Sequence, residues 1–441
     1  MKRKLVLVNP FDCRRPGLSI DKYGRFQPLA PGIIAALTPA HWDVELIDEK
    51  WEPFVYREAD LVGITAFTST ASRAYELAGI YRGKGVPVVM GGIHPSMCTD
   101  EALLYVDSVV SGEAEPTWKR VIEDFEKGQL QPIYEGGMAD LSQVPLPRRE
   151  LFHPGYVVGS IQTTRGCPMD CEFCSVPAFN GRIHRQRPIE DVLEELETIS
   201  QKIVLFTDDN LIGYSQQSLR RTIDLFKGMV ERKINKWWIC QASLNFADNE
   251  EMLYRAKLAG CKFAFIGIEA LEINGMKEVN KYLNLERMDH LREAFRKINK
   301  AGIAVLGSFI FGMDSDNEKK LQEREAFIIN GGLDVVQATV LTPLPGTRLF
   351  NRLKEENRLL YTNYPRDWYL YDFNKVVHQP LEMTPESLAA AVEHCHMRMS
   401  SIPVLLKKAL KTLWNTRSIV NMVLALKSNI VARKIARVLY R

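Results

Sequence analysis

No apolar run in these 441 residues approaches the ~20 that a bilayer crossing requires, which argues against an integral membrane protein. An export signal is lacking too. The basic start Met1-Lys2-Arg3-Lys4 leads into only five or six apolar, β-branched residues, the pattern of a first strand. Cysteines number eight, and without an export signal they are not expected to form a disulfide framework. A metal site in a reducing cytoplasm is the better reading. Simple repeats and low-complexity segments are absent. From His394 to Arg441 there is no Asp or Glu, whereas Arg398, Lys407, Lys408, Lys411, Arg417, Lys427, Arg433, Lys434, Arg437 and Arg441 are basic. These outweigh the whole chain's net charge of +3, so the remainder is acidic overall and any basic partner surface lies in the tail.

What is present is an ordinary soluble balance, 46% hydrophobic and 25% charged, in a chain long enough for two or three domains. Strands are expected at 4–8, 44–47, 61–65, 86–90 and 108–110, with helices at 31–37, 70–82 and 116–125. Five strands separated by helices predict an α/β, flavodoxin-like, doubly wound parallel sheet over residues 1–135. Pro145, Pro147 and Pro154 mark 136–159 as a linker. Alternation resumes with strands at 160–164, 203–207, 237–241, 263–268, 304–310 and 335–341, and helices at 189–200, 217–232 and 250–259. Six βα units predict a full or partial parallel (β/α) barrel over 160–375. Thr384-Pro385-Glu386 starts a helical C-terminal region, 376–441, and Pro403 a second helical stretch within it.

Three cysteines crowd into the segment Cys167-Pro168-Met169-Asp170-Cys171-Glu172-Phe173-Cys174, directly after a predicted strand. In barrels, loops at the strands' C-terminal ends hold the active site. Three thiolates can hold three irons of a cubane cluster and leave the fourth open to a chelating small molecule. Structural zinc, with His184 as fourth ligand, is the bland alternative, but that separation fits no usual finger.

CxxxCxxC with Phe173 before the last cysteine and Arg165-Gly166 ahead of the first resembles the signature loop of the radical S-adenosylmethionine superfamily. The resemblance implies a 4Fe–4S cluster on Cys167, Cys171 and Cys174, and S-adenosylmethionine on the open iron. Reductive cleavage then gives a 5′-deoxyadenosyl radical, with Phe173 near the adenine. It further implies cofactor contacts at the ends of later strands. Asp208 and Asp209 would meet the methionine ammonium, Ser243 the ribose, and Glu269 would belong to a Gly-Ile-Glu segment. Gly307 would lie on the strand passing close to adenine. Singly, such groups also read as turns, caps or tight packing.

The preceding domain resembles that superfamily's cobalamin-binding branch. The matching pieces are Thr65-Ala66-Phe67-Thr68, Gly91-Gly92-Ile93-His94-Pro95 and Ser111-Gly112-Glu113-Ala114-Glu115. Thr65, Gly91, Gly92 and Glu113 are therefore expected at a corrinoid, with the glycines permitting close approach of a large ligand. The segment Asp12-Cys13-Arg14-Arg15-Pro16-Gly17 departs from the branch in having no histidine to serve as an axial ligand, and His94 reads as a loop residue.

The tail interleaves Leu405, Leu406, Leu410, Leu413 and Trp414 with lysines. It can be an amphipathic helix on an anionic bilayer or a terminal helix packed on the barrel with its charges solvated; both readings stand. Nucleic acid is not expected, since no series of base-stacking aromatics accompanies the charges. The expectation is a cytoplasmic enzyme, or one peripheral at the membrane surface, fed by an external flavodoxin- or ferredoxin-type electron donor. It would methylate an unactivated carbon of a small-molecule or lipid-like substrate. The alternatives are a cyclisation, oxidation or rearrangement with the same cofactors, and a non-catalytic iron–sulfur carrier or sensor.

Overall fold

The structure is a computed structural model that describes residues 2–12, 14, 25–285 and 287–440. Cys13 and residues 15–17, part of the segment searched for an axial histidine, lie outside the described residues, as does Arg441.

The N-terminal sheet has six parallel strands: β1 (Arg3–Asn9), β2 (Trp42–Asp48), β3 (Leu61–Thr65), β4 (Val88–Gly91), β5 (Ser108–Gly112) and β6 (Ile133–Gly137), in the order β2-β1-β3-β4-β5-β6. Alternation along β1 sends Leu5 and Leu7 to one face and Val6 and Val8 to the other. The first face is covered by α1 (Leu29–Leu37) and α3 (Trp118–Glu126), the second by α2 (Ala71–Arg82). This is the doubly wound arrangement. The sixth strand was not expected. Pro132, Gly136 and Gly137 read as punctuation, yet β6 is an edge strand, buried on alternate residues only. Gly136 is required there, because a Cβ would stand 1.9 Å from the Glu113 carbonyl oxygen.

Residues 136–159 pack rather than dangle. Leu141, Phe152 and Tyr156 are buried, and Arg149 donates to the Ser160 carbonyl at 2.7 Å and to Glu195 at 2.5 Å.

The second sheet is also parallel, in the order β14-β13-β12-β11-β10-β7. Its members are β7 (Val158–Ile161), β10 (Ile203–Phe206), β11 (Trp237–Ala242), β12 (Cys261–Glu269), β13 (Ala304–Phe311) and β14 (Val335–Val340). A short antiparallel pair, β8 (Thr164–Arg165) with β9 (Arg185–Gln186), stands apart. Helices α4 (Ile189–Thr198), α5 (Gln216–Glu231), α6 (Glu250–Leu258), α7 (Leu291–Lys300) and α8 (Glu318–Asn330) follow the strands. Among the described residues β14 and β7 do not pair, so the barrel is partial.

Three C-terminal helices follow: α9 (Pro385–Met399), α10 (Ile402–Thr416) and α11 (Ile419–Leu439). Thr384 and Ser387 form a capping box at α9, as expected from a Thr followed by Pro at the first turn. The second helical stretch divides in two because Arg417 takes a left-handed φ of 51° and Ser418 caps α11. These helices close the barrel at the end where its strands begin. Thr412 donates to Asp334 (2.6 Å), Asn421 to the Gly302 carbonyl (2.8 Å), and Ala425 packs among Phe263, Ala304 and Val335.

Candidate active site

The cysteine loop leaves β7 at the C-terminal edge of the partial barrel. It is pinched shut by β8 and β9, where Arg165 faces Arg185. Gly166 opens it with φ +85°, and a Cβ there would lie 2.2 Å from the Ile183 carbonyl oxygen, so the turn admits no side chain. Cys167, Cys171 and Cys174 are free thiols, Cys171 buried and the others half-buried. Burial pushes all three upward, Cys174 to about 12, while the Lys281 ammonium pulls the other way. Such thiols ionise only against a cation, which a metal centre supplies.

Carboxylates hold the loop in place. Asp209 accepts from the Gly166 N–H and from Asn180, both at 3.0 Å. Glu172 is clamped by Arg352 at 2.8 and 3.1 Å. Asp208 is fully buried, and its Oδ1 accepts from the Thr163 N–H and hydroxyl (2.9 Å each) and the Thr164 hydroxyl (2.7 Å). Burial pushes its pKa up. Both residues thus bind the loop's own backbone and hydroxyls. Their short side chains at the end of β10 hold the loop, beside the contact to a methionine ammonium that the resemblance implies.

Ser243 and Glu269 belong to side-chain networks that also reach the thiols. The Asn210 amide donates to the Tyr214 hydroxyl (2.8 Å) and to Ser243 (2.9 Å), and those two hydroxyls are 2.6 Å apart. Tyr214 in turn lies beside Cys167. Glu269 ends β12 with a left-handed φ of 68° and accepts from Lys281 Nζ at 3.2 Å. Burial alone would push Lys281 down, but Glu269, Cys171 and Tyr214 together raise it, so it remains an ammonium. Gly267 makes room for the pair, because a Cβ there would meet Glu269 Oε1 at 2.4 Å. Tyr214 and Lys281 were not singled out from the sequence. Tyr214 carries no motif, and Lys281 lies twelve residues past Glu269.

Phe173 packs against Ala270, Met276, Ile310 and Leu341, at the C-terminal ends of β12, β13 and β14. Gly307 is less telling. It is mid-strand, and the space a Cβ would need is taken by Leu333 (2.8 Å) and Ile268 (2.9 Å), so its smallness serves packing.

In the N-terminal sheet, Thr65, Gly91 and Gly92 come together at the C-terminal edge. Gly92 has φ +102°, and a Cβ would press on the Ala66 oxygen (2.9 Å) and Thr65 Oγ1 (3.0 Å). A Cβ at Gly91 would make only an ordinary contact, with Val110 at 3.9 Å, and Phe67 near it is exposed. An uncrowded edge with an exposed ring suits a large planar ligand. His94 is fully buried, its Nε2 within 3.2 Å of the Tyr75 hydroxyl. Glu113 directly follows β5 at the C-terminal edge of the same sheet. It accepts from Arg165 Nη1 (3.0 Å), the Ala139 N–H (2.8 Å) and Arg185, tying the sheet to both ends of the cysteine loop.

The donor set fits the implied groups. Among the described residues no three His, Cys, Asp or Glu side chains converge on one ion. A cubane offers separate irons to separate thiolates and needs no such convergence, whereas a structural zinc does. Lys281 and Glu269 provide opposite charges beside the thiols, complementary to an amino-acid end.

Comparisons agree with this geometry. The radical SAM superfamily model matches residues 161–328 and the B12 binding domain model residues 23–122. Bacteriochlorophyllide d C-12(1)-methyltransferase of Chlorobaculum tepidum is 30% identical over 403 residues, covering 88% of this chain and 85% of that one. Hopanoid C-2 methylase of Rhodopseudomonas palustris is 28% identical, covering 75% and 64%. The fold of the cobalamin-dependent radical enzyme OxsB, with aqua-cobalamin and S-adenosylmethionine bound, superposes with a TM-score of 0.73 at 16% identity, over 99% of this chain and 72% of that one. The two domains imply a 4Fe–4S cluster, S-adenosylmethionine and cobalamin. The chain belongs to the radical SAM superfamily, in the B12-binding group whose relatives include methyltransferases.

Proposed function

We propose that this enzyme methylates an unactivated carbon of a small-molecule or lipid-like substrate. The observation that carries the reading is the join between the two sheets, where Glu113 of the corrinoid-type edge grips Arg165 and Arg185 on either side of the cysteine loop. Such a join keeps two cofactors within reach of one substrate. When bound, the cluster supplies the electron that cleaves S-adenosylmethionine, and the corrinoid carries the methyl group.

The chain's own residues bind and orient. Cys167, Cys171 and Cys174 would hold the cluster. Glu269 and Lys281 would receive the ammonium and carboxylate of the methionine end, and Ser243, held by Asn210 and Tyr214, the ribose. Phe173 would cover the adenine and exclude water. Thr65, Gly91 and Gly92 would line the corrinoid. On this reading residues 1–135 form the corrinoid unit, 160–375 the radical barrel and 376–441 a helical appendage. Radical SAM enzymes need a reductant, here an external flavodoxin- or ferredoxin-type donor. Relatives named for bacteriochlorophyllides and hopanoids support a bulky, largely apolar substrate class.

The test is anaerobic turnover with cobalamin, a reductant and methyl-labelled S-adenosylmethionine, offering cyclic apolar substrates. Label in the product together with 5′-deoxyadenosine is expected. A relative named anaerobic magnesium-protoporphyrin IX monomethyl ester cyclase, 23% identical over 77% of this chain, supports a second reading without methyl transfer. 5′-Deoxyadenosine with an unlabelled product would favour it.

A further inference from the structure

We infer that helix α10 docks the protein on an anionic lipid surface through an apolar ridge that faces away from the barrel. The two faces of α10 differ in kind. Leu405, Lys408, Ala409 and Thr412 are buried against the barrel, and Lys408 Nζ donates to the Ile328 and Leu333 carbonyls at 3.0 and 3.2 Å. The opposite face repeats every four residues with Ile402, Leu406, Leu410 and Trp414, which are 58%, 55%, 67% and 84% exposed. A tryptophan so exposed at the end of a row of leucines is unusual on a soluble surface and suits the headgroup boundary of a bilayer. Ile419 and Val423 continue the exposed apolar surface on α11.

Charge selects the occupant. Lys407, Arg417, Lys427, Lys434 and Arg437 are exposed around the ridge, and no carboxylate occurs from His394 to Arg441. A second copy of the chain would bring these like charges together, whereas an anionic membrane attracts each of them. An acidic electron donor is a poorer fit by position. α10 and α11 cover the end of the barrel where the strands begin, opposite the cysteine loop. No helix among the described residues is long and apolar enough to cross a membrane, so the contact is peripheral. The packed face of α10 realises the reading of a terminal helix seated on the barrel.

The experiment is co-sedimentation of the full chain with vesicles of phosphatidylcholine alone and with about one-third phosphatidylglycerol. The wild type is expected to pellet with the anionic vesicles and to be released by high salt. A Leu406→Gln, Leu410→Gln, Trp414→Gln variant, altered only at exposed positions, should lose about tenfold or more in vesicle affinity. A Lys407→Gln, Arg417→Gln variant, with the ridge intact, should lose affinity for the anionic vesicles alone. Circular dichroism melts and sedimentation velocity on the same samples report folding and self-association. Four results overturn the inference: no pelleting, equal pelleting with both vesicles, pelleting the triple variant retains, or a wild-type dimer that the triple variant dissolves.

Discussion

Glu113 and Arg165 are bonded at 3.0 Å across the join between the two sheets, two positions ahead of the first cysteine of the loop. Burial alone would raise the Glu113 carboxyl, but Arg185, Arg165 and the Ala139 N–H prevail and hold it below its ordinary 4.5. Glu113→Gln leaves two largely buried guanidiniums short of a partner, a loss of about 3 kcal/mol in unfolding free energy. Its midpoint in urea should fall, and iron retained after anaerobic reconstitution should fall with it. The folded pKa is the lower one, so the wild type's advantage over the variant is present above pH 4.5 and disappears as pH drops through the folded value. A variant of equal stability at pH 7 would refute the role.

Replacing the cysteines singly tests the loop directly. Cys167→Ala, Cys171→Ala and Cys174→Ala should each fold, because no disulfide depends on these thiols. Each should lose the cluster's visible absorption and yield no 5′-deoxyadenosine. Cys98→Ala, a thiol outside the loop, should keep both.

Lys281→Met removes the ammonium that faces Glu269 at 3.2 Å. Affinity for S-adenosylmethionine in the cluster-loaded protein, read by equilibrium dialysis, should drop about tenfold or more, with Lys281→Arg recovering part of it. Unchanged affinity in the methionine variant would remove Lys281 from the binding site.

The paired glycines separate stability from ligand binding. Gly92→Ala forces a side chain at φ +102° against the Ala66 oxygen and should cost about 1–2 kcal/mol of apo-protein stability. Gly91→Ala meets nothing within 3.9 Å, so the apo protein should melt as the wild type does. Yet cobalamin titration followed by absorbance should show weakened binding in Gly91→Ala, since the added methyl stands at the corrinoid-type edge.

Much of this molecule is legible in its residues because local chemistry dictates it. β-Branched runs between helical patterns locate eleven of the twelve strands in the two sheets, and the thiol spacing locates the loop. The missed β6 is an edge strand whose glycines serve a close crossing over Glu113, and they read as a turn. Glu113 itself, placed at the corrinoid by its neighbours Gly112 and Ala114, is claimed by arginines 52 and 72 positions later. Asp208 and Asp209 turn inward to threonine hydroxyls and a glycine N–H for the same reason. Long-range pairing is settled by the tertiary fold, which no local window contains. Tyr214 and Lys281 reach the thiols only once the sheet, with β11 between β10 and β12, brings the segments after those two strands to the loop.

The seam between β14 and β7, which do not pair with each other among the described residues, carries a consequence of its own. A closed barrel fixes its girth through a continuous ring of backbone hydrogen bonds. Here the seam lacks that ring, and side chains share in holding it, such as the Arg352 clamp on Glu172 that ties the loop to the helix after β14. Changing a few such residues can widen or narrow the seam without disturbing a single strand pairing. The residues along that seam are where selectivity can drift fastest.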